Sequence, residues 1–239
     1  MKKKVEIETQ VAIITKVSRE TKDTVTLKLQ LPNPFYWEPG QFIMVSADID
    51  NKVVKRAYSI ASSPTRSEYL EITIRQTDTP TMSKFLNERS EGDQLEVRGP
   101  YGKFIWNENT SDKVVMLGAG SGITPFKAML EYIKDKNLDS KSKLLYSCAF
   151  GDNVIFDDLL NELTKQVSCY YELSLTREQS NDFNSRKGRI DKEYLQNQIK
   201  GYEDANFYLC GTPTFVKAMR DILIEIGIEK TKVKREQWG

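Results

Sequence analysis

The chain has 239 residues, with 35 Lys and Arg against 34 Asp and Glu and a net charge of +1. That length suits one large domain or two ordinary ones, and the near-neutral balance gives no electrostatic case for nucleic acid or an anionic membrane as the main partner. There is no histidine, and Cys148, Cys169 and Cys210 form no CxxC pair, which excludes histidine-dependent hydrolysis and argues against any zinc site or iron–sulfur cluster within this chain.

The remaining chemistry must use a bound cofactor, or acids, lysines and hydroxyls. The start, MKKKVEIETQ, is charged and lacks an apolar core of signal-peptide type, and no apolar run is long enough to span a bilayer. The expected location is therefore cytoplasmic, with no transmembrane segment and no metal site.

The first hundred residues read as strands and turns. VAIITKVSRETKDTVTLKLQLP holds two β-rich runs about a polar turn, and PGQFIMVSAD gives a turn and then an apolar strand. RAYSIASSP and EYLEITIRQ continue the pattern, which GDQLEVRGPYG closes. Short strands punctuated this often predict an antiparallel, closed or nearly closed β-barrel. TPTMSKFLNERS interrupts them with apolar spacing at Met82, Phe85 and Leu86, the pattern of one short helix.

From about Lys113 the pattern changes to strand, helix, strand. The strands KVVMLGAG, SKLLYSCAF, CYYELSLTRE, NFYLCGTP and KTKVKRE alternate with four helical segments, TPFKAMLEYIKDKN the first and FVKAMRDILIEIG the last. Five such units predict a doubly wound parallel α/β sheet of five strands. The change falls between Gly102 and Ser111, which gives two domains, 1–106 and 107–239.

Four short stretches carry the candidate chemistry. GAGSGITP, Gly118–Pro125, lies where the first parallel strand meets a helix. Glycines there let backbone approach a ligand, the helix start offers N–H groups to a phosphate, and Pro125 suits a first helical turn. In RAYS, Arg56–Ser59, strand alternation puts Arg56 and Tyr58 on one face. LCGTP, Leu209–Pro213, ends another parallel strand, the edge where such sheets bind ligands. The tail, KVKREQWG, places Glu236 two residues before Trp238, a large indole at a chain end.

Taken together and in this order, RxYS, GxGxxxxP, CGxP and a terminal Glu-x-aromatic resemble the ferredoxin–NADP reductase family of flavoproteins over essentially the whole chain. The resemblance implies an FAD-binding Greek-key barrel followed by a nicotinamide-nucleotide domain. Arg56 and Ala57 then belong to the flavin-phosphate strand, Tyr58 stacks on the flavin ring, and the Ser59 hydroxyl lies near the flavin atom that receives hydride. Gly118, Gly120, Ser121, Gly122, Thr124 and Pro125 cradle the dinucleotide, while Cys210, Gly211 and Pro213 flank the nicotinamide. Ser59, Cys210 and Glu236 become the catalytic candidates, and Trp238 covers the flavin until nicotinamide displaces it. Met82 and Ser83 offer backbone N–H groups to the flavin pyrophosphate, although Pro80 stands where the family has glycine.

The reading favours NADH over NADPH, because YSCAFGDN after the second parallel strand carries no cation for a 2′-phosphate. Arg177, Arg186 and Arg189 belong to the next unit and could reach round. The implied activity is hydride transfer between NAD(P)H and FAD, then single electrons to a separate ferredoxin or flavodoxin, the chain having no room or cysteines for a fused iron–sulfur domain. The competing readings are a non-catalytic flavin- or dinucleotide-binding subunit and a free-flavin reductase. Oligomeric state is left open.

Overall fold

The computed structural model describes residues 7–77, 81–178 and 185–237. The first sheet contains β1 (Glu8–Thr21), β2 (Thr24–Gln30), β3 (Phe42–Ile49), β4 (Lys52–Ser59), β5 (Tyr69–Arg75) and β6 (Gln94–Tyr101). Their order is β4-β3-β6-β1-β2-β5, with every neighbour antiparallel. β6 thus inserts between two hairpins, and a bridge between Ile60 and Ile72 joins the outer strands. This is the expected Greek-key barrel. Alternation fills it: Ala12, Ile14, Val25, Leu27, Ile43, Val45 and Ile72 are fully buried, while Val11 and Ile13 face outward. The short helix α1 (Thr81–Asn87) adds Met82 and Leu86 to the same core.

The second sheet contains β7 (Lys113–Ala119), β8 (Lys141–Cys148), β9 (Tyr170–Leu175), β10 (Arg186–Lys187), β11 (Asn206–Gly211) and β12 (Val233–Gln237). All are parallel, in the order β10-β9-β8-β7-β11-β12. The sheet has six strands rather than the expected five. β10 is only two residues long, too short for any hydrophobic alternation to announce it. The helices are α2 (Thr124–Asp135), α3 (Asp157–Gln166), α4 (Lys192–Gln198) and α5 (Pro213–Glu225). A 3-10 turn, Gly120–Ile123, separates β7 from α2, and another, Lys230–Lys232, precedes β12. Among the described residues no helix is long and apolar enough to cross a membrane.

The connecting segment is part of the second core, where Phe104 and Trp106 are buried. The two sheets meet closely at Gly40, whose φ is +98° and where a Cβ would lie 2.0 Å from the Phe104 carbonyl oxygen. Tyr208 Oη donates to Ile105 O at 2.7 Å beside it. Only glycine satisfies both that backbone angle and that approach.

Glu20, on β1, faces the seam between the sheets. Burial raises its carboxyl above the ordinary value of 4.5, against the lowering influence of Thr26 and Lys127. An acid raised in the folded state contributes most when protonated, below about pH 4.5, and that contribution is lost as pH rises through the raised value. Glu20→Gln is expected to raise Tm at pH 7 and to leave it unchanged at pH 4, as read by calorimetry at both pH values.

Candidate functional site

The sheet order turns at β7: the chain moves outward through β8, β9 and β10, then returns to β7's other edge with β11 and β12. Such a reversal opens a crevice at the carboxyl ends of the strands, where ligands bind in open α/β sheets. The register there brings three sequence candidates into one row. Cys210 on β11 stands opposite Gly118 on β7 and Glu236 on β12.

Above this row the glycine turn presses on β11. A Cβ on Gly122 would lie 2.3 Å from the Cys210 carbonyl oxygen and 2.6 Å from the Gly211 nitrogen. Thr124 Oγ1 donates to Ser121 O at 2.8 Å, and Pro125 sits in the first turn of α2. The buried Tyr146 hydroxyl donates to Gly120 O at 3.0 Å and accepts Ile155 N–H at 3.3 Å. Tyr146 therefore fixes the turn from below, a role its place in an apolar strand did not signal.

The barrel contributes to the same edge. Ser59, buried at the end of β4, donates its hydroxyl to Glu236 Oε2 at 3.3 Å. This contact joins two residues 177 positions apart in sequence. Ser59 also pairs with Phe42 of β3, whose ring stacks with that of Tyr101 at 5.7 Å. Tyr58 is half-buried against the barrel core, and burial pushes its phenol well above the ordinary value. Arg56 is exposed, and its one hydrogen bond among the described residues goes to Lys55 O at 2.8 Å.

A cavity of about 460 Å³ opens beyond the glycine turn. Ala119, Gly120, Ser121, Gly211 and Thr212 form part of its wall. Gly118, Gly122, Thr124, Pro125 and Pro213 are outside that wall; they shape the turn and the start of α5. Cys210 is fully buried in the core beneath. Cys148 also lines the cavity; burial raises its thiol to about 11, so it is a neutral wall.

Three arginines border the cavity: Arg75, Arg177 and Arg189. The absence of a cation after β8 is thus made good by the unit of β9 and β10. Arg186 is engaged elsewhere, on the Gly188 and Arg189 carbonyls and Asp191, and Asp152 does not line the cavity. Arg75 comes from the barrel, where it pairs with Asp23 at 3.1 Å. A Cβ on Gly120 would lie 3.4 Å from its guanidinium. Sequence reasoning passed over Arg75; its one signal was an arginine ending β5, just ahead of the phosphate element.

On α1, Met82 is buried in the barrel core, and the Ser83 hydroxyl accepts Thr77 N–H at 3.3 Å. Pro80, Trp238 and Gly239 lie outside the described residues, as does the contact expected of that tryptophan. The residues present fit a flavin and a dinucleotide on their own geometry. Arg56 offers an exposed guanidinium unmatched by any acid among the described residues. The three-arginine cavity suits phosphates, and a Cβ on Gly120, in the cavity wall, would stand 3.4 Å from the Arg75 guanidinium.

The same two-part organisation is found in known proteins. Residues 10–106 match the oxidoreductase FAD-binding domain family and residues 116–221 the oxidoreductase NAD-binding domain family. The glycine betaine monooxygenase reductase subunit of Chromohalobacter salexigens is 27% identical over 231 residues, which cover 94% of this chain and 62% of that protein. This chain therefore spans about three fifths of that relative's length. The FAD/NAD-binding domain of the nitric oxide dioxygenase of Vibrio cholerae superposes with a TM-score of 0.86 at 22% identity, covering 96% of this chain and 98% of that one. A ferredoxin NADP+ reductase of Neisseria gonorrhoeae, solved with FAD and NADP bound, superposes at 0.80 and 21% identity, covering 98% and 99%. With both domain families matched in order and the fold shared throughout, the chain belongs to the ferredoxin–NADP reductase family of FAD- and NAD(P)-binding oxidoreductases.

Proposed function

We propose that the chain is an NAD(P)H-dependent flavoprotein reductase that takes a hydride from a reduced nicotinamide dinucleotide and passes single electrons to a separate acceptor protein. The observation that carries this reading is the Gly118–Cys210–Glu236 row with the Ser59 hydroxyl resting on Glu236. Bound FAD supplies the redox chemistry, accepting two electrons as hydride and releasing them one at a time. The protein's residues bind, orient and supply charge. Arg56 and the α1 segment with Met82 and Ser83 hold the flavin phosphates, and Tyr58 offers a ring face. Ser59 and Glu236 set the hydrogen bonding where the nicotinamide meets the barrel. Glu236 places a carboxylate beside a ring that becomes cationic when it gives up hydride.

The dinucleotide lies along the cavity, its pyrophosphate on Gly120 and Ser121 with Arg75 near. Arg177 and Arg189 then supply the cations that a 2′-phosphate requires, which makes NADPH the favoured donor in place of the NADH expected from YSCAFGDN alone. The acceptor is a separate electron-transfer protein of the ferredoxin or flavodoxin class, a reading supported by the relative named as a reductase subunit. The direct test is anaerobic mixing of FAD-loaded protein with NADPH or NADH. Bleaching of the flavin absorbance is expected with both, faster with NADPH; no bleaching with either overturns the reading. In the Arg177→Ala/Arg189→Ala variant, KM for NADPH should rise about 100–10,000-fold, from two charge-assisted hydrogen bonds worth about 1.5–3 kcal/mol each. KM for NADH should move less than about 3-fold, having no 2′-phosphate to lose. Equal changes for both nucleotides would remove these arginines from the 2′ position.

A further inference from the structure

We propose that Lys127 is a positioning residue that locks the Ser59 strand end against the helix leaving the glycine turn, and so sets the geometry of hydride transfer. The kinetic consequence rests on the flavoprotein-reductase reading, and the lock on the hydrogen bonds of Lys127 alone. Lys127 is 4% exposed, two residues beyond Pro125 on α2. Its ammonium has three protons and three acceptors: Ala61 O at 3.2 Å, Glu71 Oε2 at 2.8 Å and Glu131 Oε1 at 2.8 Å. Ala61 stands two residues beyond Ser59. A single buried cation thus connects the two halves of the candidate site through backbone on one side and a helix on the other.

The contact continues down α2 at four-residue intervals. Glu131 Oε2 accepts Ser63 N–H at 3.1 Å and Arg66 Nη1 at 2.8 Å. Asp135 accepts Arg66 Nη2 at 3.1 Å and the Thr65 hydroxyl. Lys127, Glu131 and Asp135 therefore form one face of the helix, and their hydrogen-bond partners on the barrel all come from residues 61–71. Burial by itself would lower the Lys127 ammonium; the carboxylates of Glu131 and Glu71 outweigh it and hold the group charged. An apolar face could dock as firmly, since buried ion pairs rarely exceed well-packed hydrocarbon in stability. What three directional hydrogen bonds add is a single register.

Close packing does not do the same work on this side of the seam. A cavity of about 460 Å³ lies there, bordered by Glu20, Thr26, Glu71, Lys127, Glu131 and Phe156. The firm contact is at Gly40, Phe104 and Tyr208. Loss of the Lys127 contacts frees the inner end of the helix face, where Glu131 and Asp135 keep only their bonds to Ser63, Thr65 and Arg66, and the Gly40 attachment then acts as a pivot, so the domains stay joined while their angle loosens. Reaction geometry is sensitive to such loosening, a displacement of about 1 Å costing on the order of 100-fold in rate.

The test uses Lys127→Met, and Lys127→Met/Glu131→Gln to avoid leaving a buried carboxylate unpaired. The three native cysteines are buried, so spin labels can be placed on cysteines introduced at exposed Val53 and Lys217, one on each sheet's unit. Pulsed electron resonance should give a single narrow interdomain distance in the parent and a broadened one in both variants. Anaerobic flavin reduction should slow about 10–100-fold, while FAD content and the affinity for oxidised dinucleotide stay within about 2-fold. A parental distance distribution in the double variant overturns the proposal, whatever the rate, and so does a parental rate alongside a broadened distribution. If Lys127→Met does not fold, Arg66→Ala, at the outer end of the same face, carries the same expectation and the same refutation. A parent that neither nucleotide reduces would sink the reductase reading, and the distance measurement would still decide the lock.

Discussion

Glu236→Gln is expected to slow anaerobic reduction by NADPH about 10–100-fold, leave bound FAD in place, and change dinucleotide affinity little. The carboxylate accepts the Ser59 hydroxyl proton at 3.3 Å and stands in register with Cys210. Glutamine keeps the shape and one acceptor but removes the charge. A hydrogen bond to a charged partner is worth about 1.5–3 kcal/mol, and about 1.36 kcal/mol is tenfold in rate, which sets the range given. The charge matters more in the transition state than before it, because the nicotinamide turns cationic only as hydride leaves, so the loss falls on the rate and not on binding. Ser59→Ala removes the same hydrogen bond from its other end. The two substitutions should therefore couple: the double variant should be about as slow as the slower single one, since residues acting as a unit are not additive. Multiplying effects would show Ser59 and Glu236 acting separately, and a parental rate in Glu236→Gln would remove the carboxylate from the reaction.

How far the sequence foretold this site depends on where each residue lies in its element. The GAGSGITP and LCGTP stretches were legible because each ends a parallel strand, and strand ends of one sheet collect at one edge, whereas RAYS, on the other sheet, was legible only through the family resemblance. The carboxylate at 236 was legible through the Glu-x-aromatic ending of the family resemblance, and reading KTKVKRE as a last strand put it at the same edge. The Lys127, Glu131 and Asp135 face was not. In TPFKAMLEYIKD those residues have the spacing of an ordinary solvated helix face, and only the barrel's arrival against α2 turns them inward. Arg177 and Arg189 were seen but could not be placed, because reach depends on strand order. The β10-β9-β8-β7 sequence of neighbours brings both to the cavity, while Arg186, two residues before Gly188, folds back on its own turn. Arg75 illustrates the remaining gap: it belongs to one sheet and lines the cavity of the other, and single-element patterns carry no information about that seam.

Gly122→Ala should lower Tm by about 6–12 °C and weaken dinucleotide binding more than about tenfold. The added carbon would lie 2.3 Å from Cys210 O, 2.4 Å from Cys210 C and 2.6 Å from Gly211 N, all of them backbone. Those atoms cannot retreat, because Cys210 is paired with Gly118 on one side and Glu236 on the other. The turn must move instead, carrying Gly120 and Ser121 away from the cavity they line. Overpacking a fixed site costs about 1–3 kcal/mol, and pairing on both sides puts this one at the upper end. In a chain of this size about 1 kcal/mol corresponds to about 2–4 °C, which gives the range stated. Gly118→Ala is the matched control: its nearest contact would be the Phe126 ring at 3.3 Å, a side chain able to yield a few tenths of an ångström. It should cost less than about a third as much. Equal losses at the two positions would mean that the turn's composition, and not its pressure on β11, sets the cavity. An unchanged affinity in Gly122→Ala would mean that the dinucleotide does not use this turn.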